Sequence, residues 1–80
     1  MTVKLVFLGK LADLAGTSER DVAGPLDWFG LLGELDVLMS DTVKSDKVKL
    51  AVNGQVLAKK TALMAHDGDE IAFLPPVSGG

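Results

Sequence analysis

Glu70-Ile71-Ala72-Phe73-Leu74-Pro75-Pro76-Val77-Ser78-Gly79-Gly80 is the stretch around which this 80-residue chain is organised. From Glu70 to Leu74 polar or small residues alternate with apolar ones, the pattern of a half-buried strand. Pro75 and Pro76 then end any sheet pairing, because neither has an N–H to donate to a neighbouring strand. Two consecutive prolines hold φ near the polyproline value and push the residue before each into the extended region, so the chain should leave the body stiffly and point outward. Val77, Ser78, Gly79 and Gly80 follow as a thin peptide. Without a Cβ, the two glycines take φ of either sign and let another backbone approach closely. Such an end fits a tunnel, and the carboxylate of Gly80 is the one chemically distinctive group it would carry into a second protein.

Outward from this strand, Asp67-Gly68-Asp69 is a chain reversal, its aspartates explained as turn formers. Lys47 to Val52 alternates with Val48, Leu50 and Val52 on one face. Asn53-Gly54 then supplies the positive φ that a two-residue hairpin turn needs, and Gln55 to Ala58 should return as a short strand. Thr61 to Ala65 is expected to be a short helical turn. At the other end of the chain, residues 2 to 8 read as a strand that is apolar on both faces, so it should be central and covered twice. Lys10 to Ala15 can form a short helix stopped by Gly16, and Thr17 to Ala23 an exposed second strand antiparallel to the first. Gly24-Pro25 turns the chain.

Asp27 is a candidate N-cap, and from it Trp28, Leu31, Leu32, Leu35, Leu38 and Met39 recur at helical spacing. This predicts one main helix, with Leu26 and Leu31 placed for a hydrophobic staple and Trp28 on the core-facing stripe. Gly30 and Gly33 fall inside it, each costing about 1 kcal/mol relative to Ala. Ser40 to Asp46 is polar and reads as a surface loop.

A chain of this length forms one domain with little room for a deep pocket, which points to a carrier, a binding module or a subunit before a self-contained enzyme. Its hydrophobic content of 48% is high for so small a surface, which fits either apolar area left for a partner or a tightly packed core rich in Leu and Val. The net charge of −3 and the lack of a basic face disfavour nucleic acid. Lys47, Lys49, Lys59 and Lys60 are the only basic concentration and read as a solvated strand face. With no cysteine there is neither a disulfide nor a thiolate metal site, and any sulfur chemistry would have to use the C-terminus. His66 has no second His or Cys near it and reads as a structural or surface residue, not a metal ligand. The apolar run at residues 3 to 8 is too short for a signal-peptide core or a membrane span, so a cytoplasmic protein is expected.

The order strand, strand, helix, strand, short strand, terminal strand suggests an α+β fold in which a mixed sheet packs on one main helix, with the first and last strands paired at its centre. That is the β-grasp, ubiquitin-like arrangement. Residues 1–80 would be one domain, with residues 75–80 as a projecting tail.

The run from Asp67 to Gly80 resembles the C-terminus of the molybdopterin synthase small subunit, the ubiquitin-like sulfur-carrier family often called MoaD, and Ala51-Val52-Asn53-Gly54-Gln55 resembles that family's strand-turn segment. The resemblance implies that Gly80 is adenylated by an E1-like enzyme that uses ATP, no cofactor being bound by the chain itself. Gly80 then becomes a thiocarboxylate and donates sulfur for the molybdopterin dithiolene. It implies further that Gly79, Ser78 and Val77 thread into the large catalytic subunit, that Phe73, Leu74, Pro75 and Pro76 form an apolar shoulder docking beside its pocket, and that two small and two large subunits assemble. Catalytic groups would come from the large subunit, so the chain would be a sulfur-donating subunit and not an enzyme alone. Three other readings share this fold: a sulfur carrier for thiamin synthesis, a modifier joined to lysines through Gly80, and a docking domain with an inert tail.

Overall fold

In chain order the elements are β1 (Thr2–Phe7), α1 (Lys10–Ala15), β2 (Glu19–Ala23), β3 (Leu26–Asp27), α2 (Trp28–Glu34), α3 (Val37–Lys44), β4 (Lys49–Val52), β5 (Gln55–Val56), a 3-10 turn at Lys60–Ala62, β6 (Met64–Ala65) and β7 (Glu70–Leu74). They come from a computed structural model that describes residues 1–76. β1 and β7 run parallel at the centre of a five-stranded sheet of order β2-β1-β7-β4-β5, in a register that sets Leu5 beside Ile71 and Phe7 beside Phe73. β2 joins β1 and β4 joins β7, both antiparallel, and the β4–β5 hairpin turns through Asn53 at φ 50° and Gly54 at φ 87°. The sheet is therefore the β-grasp expected from the sequence.

Period-two alternation decides which face is covered. Val3, Leu5, Leu50, Ile71 and Phe73 point to one face of the sheet and are all fully buried there, under Leu11 of α1, Trp28 and Leu31 of α2, and Met39 and Val43 of α3. Trp28 is a core residue, as its place on the apolar stripe predicts. The staple pair Leu26 and Leu31 is buried, and the Asp27 carboxylate accepts from the Gly30 N–H at 2.7 Å. Gly30 sits tightly against this cap. A Cβ there would stand 3.1 Å from Asp27 Oδ1 and 3.2 Å from Leu26 Cδ2, whereas a Cβ on Gly33 would meet nothing within 4 Å.

The single helix expected from Trp28 onward is two. Leu35 turns extended at φ −105° and ψ 151°, and Asp36 starts a new helix by accepting the Met39 N–H at 2.8 Å. Arg20 fixes the end of α2 from β2, donating to the Glu34 carbonyl at 2.7 Å. α3 then absorbs Ser40 to Lys44, which the sequence reading assigned to a loop. The helical turn expected at Thr61 to Ala65 is likewise replaced. After the 3-10 turn, Met64 and Ala65 form β6 and pair with Asp27 and Leu26 of β3, a small second sheet at the start of α2.

Candidate functional site: the root of the C-terminal tail and the open sheet face

The strand that leads to the tail is bonded on both sides. Lys4 to Phe7 flank it along β1, and Lys49 to Val52 along β4, with Lys49 opposite its last residue, Leu74. Its start is clamped as well. Asp69 accepts the His66 backbone N–H at 2.9 Å with one carboxylate oxygen and the Asn53 amide at 2.9 Å with the other, while Asn53 Oδ1 accepts the Glu70 N–H at 3.0 Å. These hydrogen bonds, the backbone N–H of His66 first, hold the Asp69 carboxyl below its ordinary range. Of the structural and surface readings of His66, its exposure selects the second.

At its far end the strand continues into half-buried Pro75 and exposed Pro76. The loop after β1 seats this exit. The Leu8 N–H donates to the Phe73 carbonyl at 3.3 Å, and Gly9, at φ +56°, lies so near that a Cβ there would stand 3.3 Å from Pro75 Cγ. Val77, Ser78, Gly79 and Gly80, the residues expected to thread and to carry the chemistry, lie outside the described residues.

The expected apolar shoulder needs one correction. Phe73 points into the core, has no exposed surface and stacks on Phe7, so its side chain cannot form part of a surface patch. Strand alternation is the cause, since Phe73 lies on the same side as Ile71 while Leu74 takes the other. Of the four shoulder residues, Leu74 and Pro75 are half-buried and Pro76 is exposed.

Leu74 belongs instead to the outer face of the sheet, where the structure reveals residues that the sequence reading did not single out. Val6, Ala72, Ala51 and Val56 are direct cross-strand partners and make one apolar row across four strands, ending at Val56 with 60% of its surface exposed. The two alanines form a shallow trough between the valines. Leu8, exposed by 40%, extends the apolar surface at the tail end of β1, and Lys4, Lys49 and Glu70 border the face. The signal was present: β1 is apolar on both sides and was expected to be covered twice. Among the described residues nothing covers its second side.

The lysine set divides differently from expectation. Lys60 is not a solvated strand residue, because its ammonium donates to the Val43 carbonyl at 2.7 Å, the Val48 carbonyl at 3.0 Å and the Ser45 carbonyl. Burial lowers its pKa, with Asp46 acting in the opposite sense. Among the described residues no group of three or more His, Cys, Asp or Glu side chains is arranged to hold a metal ion, and no helix is long and apolar enough to cross a membrane.

A parallel central pair flanked by two hairpin arms, with helices on one face and a tail leaving the middle of the sheet, defines a ubiquitin-like domain of the β-grasp class. Within that class the chain belongs to the ThiS family, whose model matches residues 5–80. It is 32% identical over 82 residues to the molybdopterin synthase sulfur carrier subunit of Escherichia coli K12, with 98% of this chain and 99% of that one aligned. The protein of the same description from Aedes aegypti is 35% identical over 86 residues, covering 98% of this chain and 88% of the relative. Among solved structures, the small archaeal modifier protein 1 of Methanosarcina acetivorans superposes with a TM-score of 0.72 at 26% identity, over 99% of this chain and 96% of that one. A chain from the complex of subunits 1 and 2 of the molybdopterin-converting factor of Helicobacter pylori shares the fold, with a TM-score of 0.65, 24% identity and full coverage of both chains.

Proposed function

We propose that this chain is the sulfur-carrier subunit of a molybdopterin synthase, with the Gly80 carboxylate as the group that is activated and loaded. One observation carries the reading. The strand running into the Pro75-Pro76 exit is the central strand of the sheet, so pulling on the tail loads the most firmly bonded part of the fold. The near full-length likeness to sulfur carrier subunits supports the same reading.

A carboxylate is a poor electrophile, since its leaving group would be oxide. The proposed sequence therefore begins with an E1-like enzyme, in which the Gly80 carboxylate attacks the α-phosphorus of ATP and expels pyrophosphate. Sulfide-level sulfur, as hydrosulfide, then adds to the acyl carbon and AMP departs, leaving a thiocarboxylate and a proton. The absent Cβ of Gly80 keeps that carbon open, and threading of Val77, Ser78 and Gly79 positions it, an effect that can be worth several kcal/mol of barrier. Inside a large catalytic subunit the thiocarboxylate sulfur attacks a pterin precursor, two carriers being spent for each dithiolene. In this scheme the open row Val6, Ala72, Ala51 and Val56, continued by Leu74 and Pro76, is the surface that the large subunit covers in a two-plus-two assembly. In this scheme the ATP-dependent steps take place in the cytoplasm.

Intact-mass analysis of protein from cells that need molybdenum cofactor tests the reading. A fraction with one oxygen replaced by sulfur at Gly80 is expected. The likeness to an archaeal modifier protein favours a second reading, an isopeptide bond from Gly80 to lysines, and recovery of lysine adducts with no sulfur-bearing species would select it.

A further inference from the structure

Beside the root of the tail, at the start of β4, lies a cleft of about 300 Å³ that the carrier scheme leaves unused. Its apolar lining includes Trp28 and Leu57, and Lys44, Lys49, Lys59 and Lys60 surround these with Asp46 as the single acidic side chain. Four lysines against one aspartate give the cleft a net +3, which leaves −6 on the rest of a chain of net −3. Its charge is thus opposite in sign to the rest of the molecule.

The four lysines do different work. Lys60 has all three N–H groups committed to the backbone carbonyls of Val43, Ser45 and Val48, in the last turn of α3 and the loop after it, and its ammonium lies 5.9 Å from the centre of the Trp28 ring, so it is a fixed charge in the wall. Lys44, Lys49 and Lys59 are exposed, and among the described residues none has a carboxylate within salt-bridge distance. Their arms are available. Lys49 is also the cross-strand partner of Leu74, the last residue before the prolines, so the cleft begins where the tail leaves the sheet. A protein that holds the tail is within reach of these lysines. A long polyanion such as nucleic acid would also meet the −6 carried elsewhere, whereas a short acidic segment would not.

We propose that this lysine-rimmed cleft is a second docking point for the large catalytic subunit, taking from it a short acidic segment whose carboxylates meet Lys44, Lys49 and Lys59 while an apolar side chain rests against Trp28 and Leu57. The proposal rests on the carrier reading. It adds to that reading an electrostatic contact that steers the tail towards its pocket, since rim charges act mainly on the rate of encounter and are screened by salt.

The test is calorimetric titration of the full chain into the large catalytic subunit of the same organism, at about 50 and about 300 mM salt. Lys59→Glu, on an exposed side chain that makes no hydrogen bond among the described residues, is expected to weaken binding about tenfold at low salt and to flatten the salt dependence, with an unchanged melting temperature. Wild-type affinity and salt dependence in both Lys59→Glu and Lys44→Glu/Lys59→Glu would overturn the cleft while leaving the carrier reading intact. Failure of the unaltered chain to bind the large subunit would overturn that reading, and the cleft with it.

Discussion

The ring of Phe73 lies against that of Phe7, with centroids 4.7 Å apart and planes inclined by 20°. The two residues face each other across the parallel β1–β7 pair and are both buried, so the stack joins the strand that starts the chain to the strand that launches the tail. Phe73→Ala is expected to lower the free energy of unfolding by about 3–5 kcal/mol, because a large cavity is left against a sheet that cannot close around it. Urea denaturation measures this directly. The loss is a large share of the roughly 5–15 kcal/mol typical of a domain, so sulfur loading in this variant should track the folded fraction. Phe73→Asp would for the same reason report unfolding and not docking.

The two glycines of α2 should respond in opposite directions. Gly33→Ala places a methyl in open space on a helix and is expected to stabilise the chain by up to about 1 kcal/mol. Gly30→Ala drives its methyl towards the Asp27 carboxylate and Leu26, and disturbs an N-cap worth roughly 0.5–2 kcal/mol. Thermal melts of the two variants separate them: a rise for Gly33→Ala and a fall for Gly30→Ala. A rise in both would mean that the cap tolerates the methyl.

These glycines also show where the sequence was legible. Sheet order, the Asn53-Gly54 turn, the Asp27 cap and the burial of Trp28 follow from local rules of period, turn chemistry and capping, which act within a few residues. The break at Leu35 and Asp36 was hidden because both halves keep apolar residues at helical spacing, and the spacing masks a second cap. Its cause includes a long-range contact, the Arg20 guanidinium on the Glu34 carbonyl. β6 was missed because two residues carry no period, and its pairing with β3 exists only once the chain has folded. At the candidate site, the proline exit was legible from covalent geometry alone. The inward direction of Phe73 was already contained in the alternation of Glu70 to Leu74, and placing Phe73 in the tail shoulder with Leu74, Pro75 and Pro76 was the wrong inference from it.

Asp69 gives a pH signature. Its carboxylate is held by the His66 N–H and the Asn53 amide, and these lower its pKa in the folded chain. A carboxyl whose folded pKa lies below the unfolded one contributes stability above the unfolded value of about 4, and loses it as the pH falls through the folded value. Asp69→Asn cannot ionise, so its deficit relative to the parent chain should be greatest at neutral pH and shrink in acid. Paired melting curves between neutral pH and about pH 2.5 check this, with the difference between the two proteins removing the titration of the other carboxyls. A deficit that does not change with pH would show that the turn depends on the shape of residue 69 and not on its charge.

Val56 offers the cleanest probe of the open face. It ends the row Val6, Ala72, Ala51 and Val56 on an edge strand, is 60% exposed, and is not part of the core cluster. Val56→Asp should therefore cost the isolated domain no more than about 0.5 kcal/mol, the usual range for a surface substitution. If a partner's apolar surface covers the row, the same aspartate is buried against it without a counter-charge, and a cost of about 1–3 kcal/mol, a loss of about 5- to 150-fold in affinity, is expected. Titration against the large catalytic subunit reads the second quantity and a thermal melt the first. Unchanged affinity with an unchanged melt would leave the row outside the interface and confine docking to Leu74, the prolines and the lysine-rimmed cleft, whereas a parallel loss in both would place Val56 in the fold's own stability.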